Sequence, residues 1–297
     1  MMYLGEIAAL GTAVCWSLNS YWFSIVGKRV GSYTVTHIRL WMAVGIVVVM
    51  HTLMYGTPFP FDAGVLRFVW LGLSGVIGYV IGDLVLFEAL VLIGARLTML
   101  LMTAAPIFGA ILAWIFLGEK LTLTQITAIV ITISGIAWVV GEKHGKERHT
   151  KTALGVVCAL SGALGQAIGL LFSKLGMTDG FSPISGNMIR LVFGAIAMGI
   201  LTVLTKRVKQ ELHNMHDKHA MKLLFYGTVM GPVIGVILSL VAITKTSVGI
   251  ASTLMSLSPI ILIPLSHFLL HEKITIRATV GTVVSLIGVA LLFAQTA

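Results

Sequence analysis

The chain has 297 residues, of which 57% are hydrophobic and only 10% are charged, and its mean hydropathy is +1.00. An ordinary soluble domain carries about 25% charged residues, and one soluble core could not hide this much apolar surface. The composition therefore excludes an ordinary soluble protein and predicts one embedded in a membrane. The formal net charge of +9 does not indicate a nucleic-acid partner, because the basic residues stand in short gaps between apolar runs.

Apolar runs long enough to cross a bilayer follow one another along the whole chain. A membrane-spanning helix needs roughly 20 mostly apolar residues, and lipid offers no partner to unpaired backbone groups, so each run should be helical. The qualifying runs are 4–26, 33–55, 66–91, 95–117, 122–140, 153–175, 183–205, 220–243, 247–270 and 276–294. They predict an all-α integral membrane protein with ten transmembrane helices. Joints as short as 118–120 and 271–273 favour antiparallel hairpins, and longer hydrophilic loops fall at 141–152 and 206–218.

The second half of the chain repeats the first. Residues 98–106 align with 251–259 on a shared proline, and a Glu-Lys pair follows thirteen residues after each proline. Further upstream, Arg39 in the second run matches Arg190 in the seventh, and each is followed by leucine. Two similar halves of five runs each indicate an internal repeat of one structural unit.

Five helices per half is an odd number, so the second half must enter the membrane from the opposite side. The predicted units are a first five-helix repeat over 1–141, a hydrophilic linker over 142–152 and a second five-helix repeat over 153–297. Inverted repeats are the usual architecture of alternating-access carriers, whose substrate site lies near the midplane between the halves. The repeat is therefore the sequence feature that points most directly to transport.

One motif combines a proline inside an apolar run with a following Glu-Lys-Leu-Thr. Its first copy comprises 87–90, 94–96, Pro106 and 117–122, and its weaker second copy comprises 241–243, 247–251, Pro259 and 271–273. These residues resemble EamA-type domains of the drug/metabolite transporter superfamily, and the resemblance covers nearly the whole chain. It implies a ten-helix carrier for small metabolites, often an exporter. The first run departs from the family pattern, because Trp16 is followed by Ser17 where the family often has Trp-Gly.

Ionisable residues inside the apolar runs are candidates for coupling. Insertion of one such residue at the centre of a spanning helix costs about 2.5–3.5 kcal/mol, so each one is expected to have a structural or functional role. Arg39 and Asp83 fall at similar depth in neighbouring antiparallel runs and could form a pair, with Glu88 about one turn nearer the interface. Such a pair is either a coupled substrate or proton site or a structural ion pair. Asp83, Glu88 and Arg39 are the coupling candidates, and the proton is the candidate ion.

Arg190 lacks the partner that its repeat-mate has, because the position that matches Asp83 in the second half is Val236. Its guanidinium could meet backbone carbonyls, Glu6 or an anionic group of a substrate. Asn187 lies one turn before Arg190 and could share its polar face.

Polar side chains on the first and sixth runs could line a cavity. Trp16, Asn19 and Ser20 share one face of a helix in the first run, where they would either line a wet cavity or pack against another helix. Gln166 is the only amide of the sixth run. The predicted substrate-binding residues are Trp16, Asn19, Ser20, Asp83, Phe87, Gln166 and Arg190.

Pro106 and Pro259 occupy equivalent positions inside their runs and are hinge candidates. Proline removes a backbone donor and kinks a helix, so each could be a hinge or a static packing kink. We predict no cofactor and no metal site, and the histidines at 213–219 lie among charged residues typical of a solvated linker.

Three classes of protein compete for this sequence: a carrier, an intramembrane enzyme and a channel. A membrane aspartyl protease needs two aspartates on facing helices, and Asp83 is the only aspartate inside an apolar run. Neither His-Glu-x-x-His nor Gly-x-x-x-x-Gly-Lys-Ser/Thr occurs. We therefore predict a secondary transporter, not an enzyme, that exports a small organic metabolite by alternating access. The alternatives are an intramembrane enzyme and a solute channel without coupling.

The expected partners are a small-molecule solute and membrane lipid, and the expected assembly is a monomer.

Lysine and arginine are distributed unequally between the two sides of the predicted membrane. The loops on the side of the N-terminus hold Arg67, Lys120, Lys174 and Lys245. The loops on the opposite side hold Lys28, Arg29, Arg96, Lys143, Lys146, Arg148, Lys151, Lys206, Arg207, Lys209, Lys218, Lys222, Lys273 and Arg277. The positive-inside rule assigns the Lys/Arg-rich side to the cytoplasm. We expect a multi-pass protein of the cell membrane (inner or plasma) with both termini extracytoplasmic, whereas ten-helix relatives commonly have both termini inside.

Overall fold

The computed structural model describes residues 3–117, 122–141, 146–246, 248–270 and 275–293, and these are helical apart from short connections. No β-strand occurs within those ranges. Both Glu-Lys joints of the repeat, and the start of the expected linker, lie outside the described residues. The described chain is therefore all-α, as the composition predicts.

Fourteen α-helices follow one another along the described chain. They are α1 (Leu4–Val30), α2 (Ser32–Tyr55), α3 (Val65–Gly75), α4 (Asp83–Met102), α5 (Ala105–Leu117), α6 (Leu123–Val140), α7 (Lys146–Gly176), α8 (Pro183–Leu204), α9 (Val208–Asn214), α10 (Lys218–Thr228), α11 (Val236–Lys245), α12 (Val248–Met255), α13 (Ser258–Leu270) and α14 (Ile276–Phe293). Two π-helical segments, Val76–Gly82 and Val229–Gly235, connect α3 to α4 and α10 to α11 without a break.

Six helical segments of the described chain are long and apolar enough to cross a membrane. They are Ser32–Tyr55, Val65–Met102, Leu123–Val140, Lys151–Gly176, Pro183–Leu204 and Lys218–Lys245. Large apolar side chains such as Leu53, Ile200 and Val203 stand on the outer surface of these helices, where lipid would solvate them. The protein is therefore a multi-pass membrane protein.

Gly94 interrupts the segment Val65–Met102. A continuous helix of 38 residues would be about 57 Å long, far more than the roughly 30 Å of hydrocarbon in a bilayer. Gly94 has φ 78° and ψ 167°, a conformation outside the helical region that glycine adopts without a steric penalty. The chain leaves the helix there, at the boundary predicted between the third and fourth apolar runs.

The two repeated prolines stand at helix starts. The turn between α4 and α5 is closed by the Thr103 N–H, which donates to the Leu100 carbonyl at 3.1 Å, and a similar turn separates α12 from α13. Pro106 and Pro259 are each the second residue of the helix that follows, where the missing N–H is not needed. Each proline marks a break between two helices rather than a kink in one, and a hinge role remains a prediction.

Helix formation extends into both segments expected as hydrophilic loops. α7 begins at Lys146, inside the expected linker 142–152, because lysine, glutamate and arginine are good helix formers even beyond the apolar run. Within the loop 206–218, the seven residues of α9 form a short helix of their own. Lack of apolar residues marks the end of a membrane span but does not mark the end of a helix.

Candidate functional site

Asp83 lies at the centre of a buried polar network. Its Oδ2 accepts from Arg39 Nη2 in the predicted ion pair, and its Oδ1 accepts from Gln166 Nε2 at 2.7 Å. The Arg39 Nη2 also donates to the Tyr79 carbonyl at 3.2 Å. Arg39 is 3% exposed and Asp83 is 5% exposed, so the pair is shielded from solvent and both charges depend on these partners.

Tyr79 extends this network to the second half of the chain. Its hydroxyl donates to Asn187 Oδ1 at 2.8 Å, and Asn187 Nδ2 donates to the Pro232 carbonyl at 2.8 Å. The Arg190 Cζ lies 4.5 Å from the centre of the Tyr79 ring, and the Arg39 Cζ lies 5.7 Å from it. Both arginines therefore contact one tyrosine ring, a favourable arrangement for buried cations.

We call this network the polar cluster. Its members are Arg39, Tyr79, Asp83, Gln166, Asn187 and Arg190. Three come from the first half of the chain and three from the second. Six different side chains from α2, the first π segment, α4, α7 and α8 thus meet at one place between the halves.

The π segments supply backbone acceptors to the cluster. Tyr79 is in the first segment and Pro232 in the second, and the carbonyl of each accepts a hydrogen bond from a side chain of another helix. A π-helical turn disturbs the regular i to i−4 bonding, so a carbonyl within it can accept from a side chain of another helix. Insertions of this kind are frequent at functional sites.

The polar cluster lies deep in the membrane-spanning helices. Tyr79 is midway along the helical segment that runs from Val65 to the break at Gly94. Arg39 follows Ser32 by seven residues and Arg190 follows Pro183 by seven residues, so each lies about 10 Å along its helix from the start. Charges at this depth are rare in membrane proteins, and residues that carry them are candidates for a functional site.

Arg190 is the one member of the polar cluster without a strong partner. It is 6% exposed, and no hydrogen bond or ion pair of the described residues reaches its Nε. Glu6, one partner that the sequence allows, instead accepts from Thr246 Oγ1 at 2.9 Å. The ring of Tyr79 is the contact that the structure gives its guanidinium.

Phe87 borders the polar cluster on its apolar side. The Arg39 Cζ lies 4.8 Å from the centre of the Phe87 ring, and this ring meets Phe23 of α1 edge to face at 5.1 Å. Trp16 packs against the same apolar group of side chains. Through these aromatic residues, α1 reaches the edge of the site.

The polar residues predicted on α1 lie against the second π segment. A methyl group on Gly231 would come within 2.0 Å of Asn19 Nδ2, so this amide touches the backbone of that segment. Ser20 Oγ donates to the Trp16 carbonyl at 2.7 Å. Among the described residues, no hydrogen bond, ion pair or ring contact joins Trp16, Asn19 or Ser20 to Asp83.

Glu88 stands apart from the polar cluster. Its Oε2 accepts from Ser32 Oγ at 2.6 Å, at the start of α2. Of the three coupling candidates, the structure therefore joins Arg39 and Asp83 and leaves Glu88 with a separate partner.

Sequence reasoning missed a second buried carboxylate, Glu211, in the loop expected to be solvated. Its side chain is 3% exposed, its Oε1 accepts from Thr34 Oγ1 at 3.1 Å, and its Oε2 lies 3.6 Å from His37 Nδ1. These contacts dock α9 onto the start of α2. Apolar Val208, Leu212 and Met215 at helical spacing around Glu211 were the available signal, but lysines dominate this loop.

Asp217 holds the same loop from its other end. Arg29 of α1 donates to the Asp217 carboxylate. Asp217 is also the N-cap of α10, because its carboxylate accepts from the Ala220 N–H at 3.1 Å. The hydrogen bond from Arg29 lowers the pKa of Asp217 below its usual range, and the Ala220 N–H lowers it further. The carboxylate is therefore ionised at neutral pH and ties α10 to the end of α1.

Charged residues buried among apolar helices line substrate and ion pathways in many membrane proteins. The model of the EamA-like transporter family matches residues 3–141 and 153–294, so the chain belongs to the EamA-like transporter family. An uncharacterized transporter of Clostridium kluyveri is 25% identical over 221 residues, which cover 74% of this chain and 70% of the relative. A solved crystal structure has the same fold, with a TM-score of 0.64 and 14% sequence identity. The match covers 99% of this chain and 98% of the chain in that structure. The protein is a membrane transporter.

Proposed function

We propose that this protein is a secondary transporter that moves a small organic metabolite by alternating access, with the solute bound at the polar cluster. The observation that carries the proposal is the cluster itself, which is buried, charged and built from both halves of the chain. A site shared between two halves is exposed to one side or the other when the halves rock against each other. Export is the direction that the family resemblance favours.

An inverted pair of five-helix repeats, over 1–141 and 153–297, would account for this arrangement. Thr132 of α6 and Ser285 of α14 are 153 positions apart and in contact, with Ser285 Oγ donating to the Thr132 carbonyl at 3.4 Å. Such a contact between equivalent positions is expected where a pseudo-two-fold axis passes. The same spacing relates the two π segments and the two helix breaks before Pro106 and Pro259, and the family model matches once in each half.

Contacts between loops support ten membrane crossings. Arg67, in the first turn of α3, pairs with Asp179, before α8, at 3.2 Å between Nη2 and Oδ2. Arg29, at the end of α1, pairs with Asp217, before α10. With ten crossings the first pair lies on the side of the N-terminus and the second on the opposite side, so each contact joins loops of one side.

Counterflow in sealed liposomes tests the proposed function. A thermal-shift panel of amino acids, amines, nucleosides, carboxylic acids and lipophilic cations first finds a compound that stabilises the purified protein. Vesicles loaded with that compound should then accumulate its labelled form transiently. A channel would equilibrate the label without an overshoot, and an intramembrane enzyme would convert it.

Changes in the polar cluster should reduce this counterflow. Asp83→Asn and Arg190→Gln each remove a charged hydrogen-bonding group, and we expect at least about a tenfold loss of rate for each. Thr127→Val, on the exposed face of α6, is the matched control and should keep the parent rate. Parent-like rates in both cluster variants would contradict the assignment of the site. Proton coupling through Asp83 or Glu88 further requires that an imposed pH gradient changes the rate.

The orientation follows from the distribution of lysine and arginine. We propose that both termini face away from the cytoplasm, because the loops on the other side carry most of the basic residues. Alkaline phosphatase fused after Ala297 should be active in bacterial cells, while a green fluorescent protein fused there should stay dark. The reverse pattern would contradict the proposed orientation.

A further inference from the structure

Arg190 is a buried cation with no ion pair among the described residues, and Asp83, the carboxylate of the polar cluster, is hydrogen-bonded to Arg39 and Gln166 instead. Its side chain belongs to a residue that is 6% exposed, and its Nε has no partner among the described residues. The Nε of its repeat-mate Arg39 likewise has no partner among the described residues, but the Arg39 Nη2 pairs with Asp83, so the two arginines differ in that ion pair. A buried charge without a partner costs several kcal/mol, so a protein that keeps one gains from it elsewhere.

The carboxylates of the described helices near this depth are already engaged. Both oxygens of Asp83 accept hydrogen bonds, from Arg39 and from Gln166. Glu88 accepts from Ser32, at the start of α2. Counting Arg39 and Arg190 as positive and Asp83 as negative, the polar cluster keeps one net positive charge.

The surroundings of Arg190 suit an anion with an apolar body. The Tyr79 ring covers one side of its guanidinium. A methyl group on Gly78 would contact Arg190 Nη2 at 3.7 Å and Gly169 Cα at 3.8 Å without overlap, so room for one methyl-sized group lies beside this nitrogen. Met188, Leu191 and Val233 belong to the buried apolar group around the site. A guanidinium edge that offers Nε and an Nη together matches the two oxygens of a carboxylate.

Resting on the proposed function, we propose that the transported solute is an organic carboxylate and that Arg190 binds its carboxylate group. The bound solute supplies a carboxylate that the second half of the chain does not contribute to the polar cluster, and the ring of Tyr79 supports the guanidinium from the other side. Arg39 and Asp83 form the neutral counterpart in the first half. The two repeated halves then differ in one respect: Arg39 in the first half is paired with Asp83, and Arg190 in the second half is paired with the substrate.

Matched pairs of ligands test this proposal on the purified full-length protein. Benzoate and phenylacetate are compared with benzamide and phenylacetamide, which have the same shape without the charge. Near-saturating carboxylate should raise the Tm by about 5 °C, since it binds only the folded protein, and the amides should raise it much less. Arg190→Gln should lose the shift, Arg190→Lys should keep a smaller one, and Arg277→Gln at the membrane surface should keep the parent shift.

The stability of the ligand-free variants separates binding from a structural role. Because no ion pair of the described residues holds Arg190, Arg190→Gln should match or exceed the parent in Tm, whereas loss of a structural ion pair would lower it. A lower Tm in ligand-free Arg190→Gln, or equal shifts from acids and amides, would overturn the proposal. Carboxylate binding that depends on Arg190, without counterflow, would contradict the proposed transport but support Arg190 as a carboxylate-binding residue. Counterflow of a neutral or cationic compound without carboxylate binding would support transport and overturn the carboxylate site.

Discussion

Arg39→Met should be among the most destabilising substitutions in this protein. It leaves the Asp83 carboxylate buried with one hydrogen bond from Gln166 and no cation in contact. Breaking a buried ion pair by removal of one partner costs about 3–5 kcal/mol, so the Tm of the purified protein should fall by about 6 °C or more. Differential scanning fluorimetry in detergent measures the change.

A double-mutant cycle isolates the Arg39–Asp83 pair. Asp83→Leu alone leaves Arg39 unpaired, and the double variant Arg39→Met with Asp83→Leu removes both charges. The double variant should be more stable than the sum of the single losses predicts, because no unpaired charge remains. Additive losses would mean that the two side chains do not stabilise each other. Arg277→Gln, whose side chain bonds the Trp138 carbonyl at the exposed end of α6, is the control arginine.

Gly75→Ala should separate α3 from α8 and disturb the site together with the fold. A Cβ atom on Gly75 would lie 2.0 Å from the carbonyl oxygen of Arg190, which is backbone and cannot rotate away. The two helices must shift, at a cost of about 3 kcal/mol, and the guanidinium of Arg190 moves with its helix. We expect a lower Tm and a weaker response to carboxylate.

Gly45→Ala is the matched control, since a Cβ at that position of α2 has no atom within 4 Å. Alanine is the better helix former, so this variant should equal or slightly exceed the parent in stability. Helix propensity favours alanine at both positions, so similar losses in both variants would contradict the assignment of the loss at Gly75 to the contact between α3 and α8.

Hydropathy predicts the fold well because the bilayer imposes a simple rule. Any run that crosses it must be apolar and helical, so the described helices other than α9 fall largely on the apolar runs of the sequence. Helix ends follow the rule less closely. α1 continues to Val30 and α7 starts at Lys146, because a helix can extend beyond the hydrocarbon wherever its residues favour it.

The candidate site was predictable where the signal is a charge at depth. Arg39, Asp83, Gln166 and Arg190 stand out in apolar runs, and the structure brings all four into one network. Tyr79 was missed because a tyrosine in an apolar run resembles a core residue. Its role depends on contacts with both arginines and with a distant asparagine, which only the packing reveals.

The π segments were equally hidden from the sequence. Nothing in the composition of Val76–Gly82 marks a changed hydrogen-bonding pattern, although the glycines at 75, 78 and 82 predict close approach of another helix. In the structure that approach is real: a Cβ on Gly82 would lie 3.5 Å from the backbone of Gly165. A helix–helix contact can be anticipated from small residues, whereas the distortion that frees a carbonyl cannot.

Thiol accessibility at the polar cluster tests alternating access most directly. The parent's cysteines, Cys15 and Cys158, are replaced by alanine, and Gln166→Cys places one thiol beside Asp83. A membrane-impermeant maleimide is then applied to sealed vesicles of either orientation. We expect labelling from each side, with a saturating carboxylate such as benzoate slowing both reactions. Labelling from one side only, under every condition, would contradict a site that alternates between the two faces of the membrane.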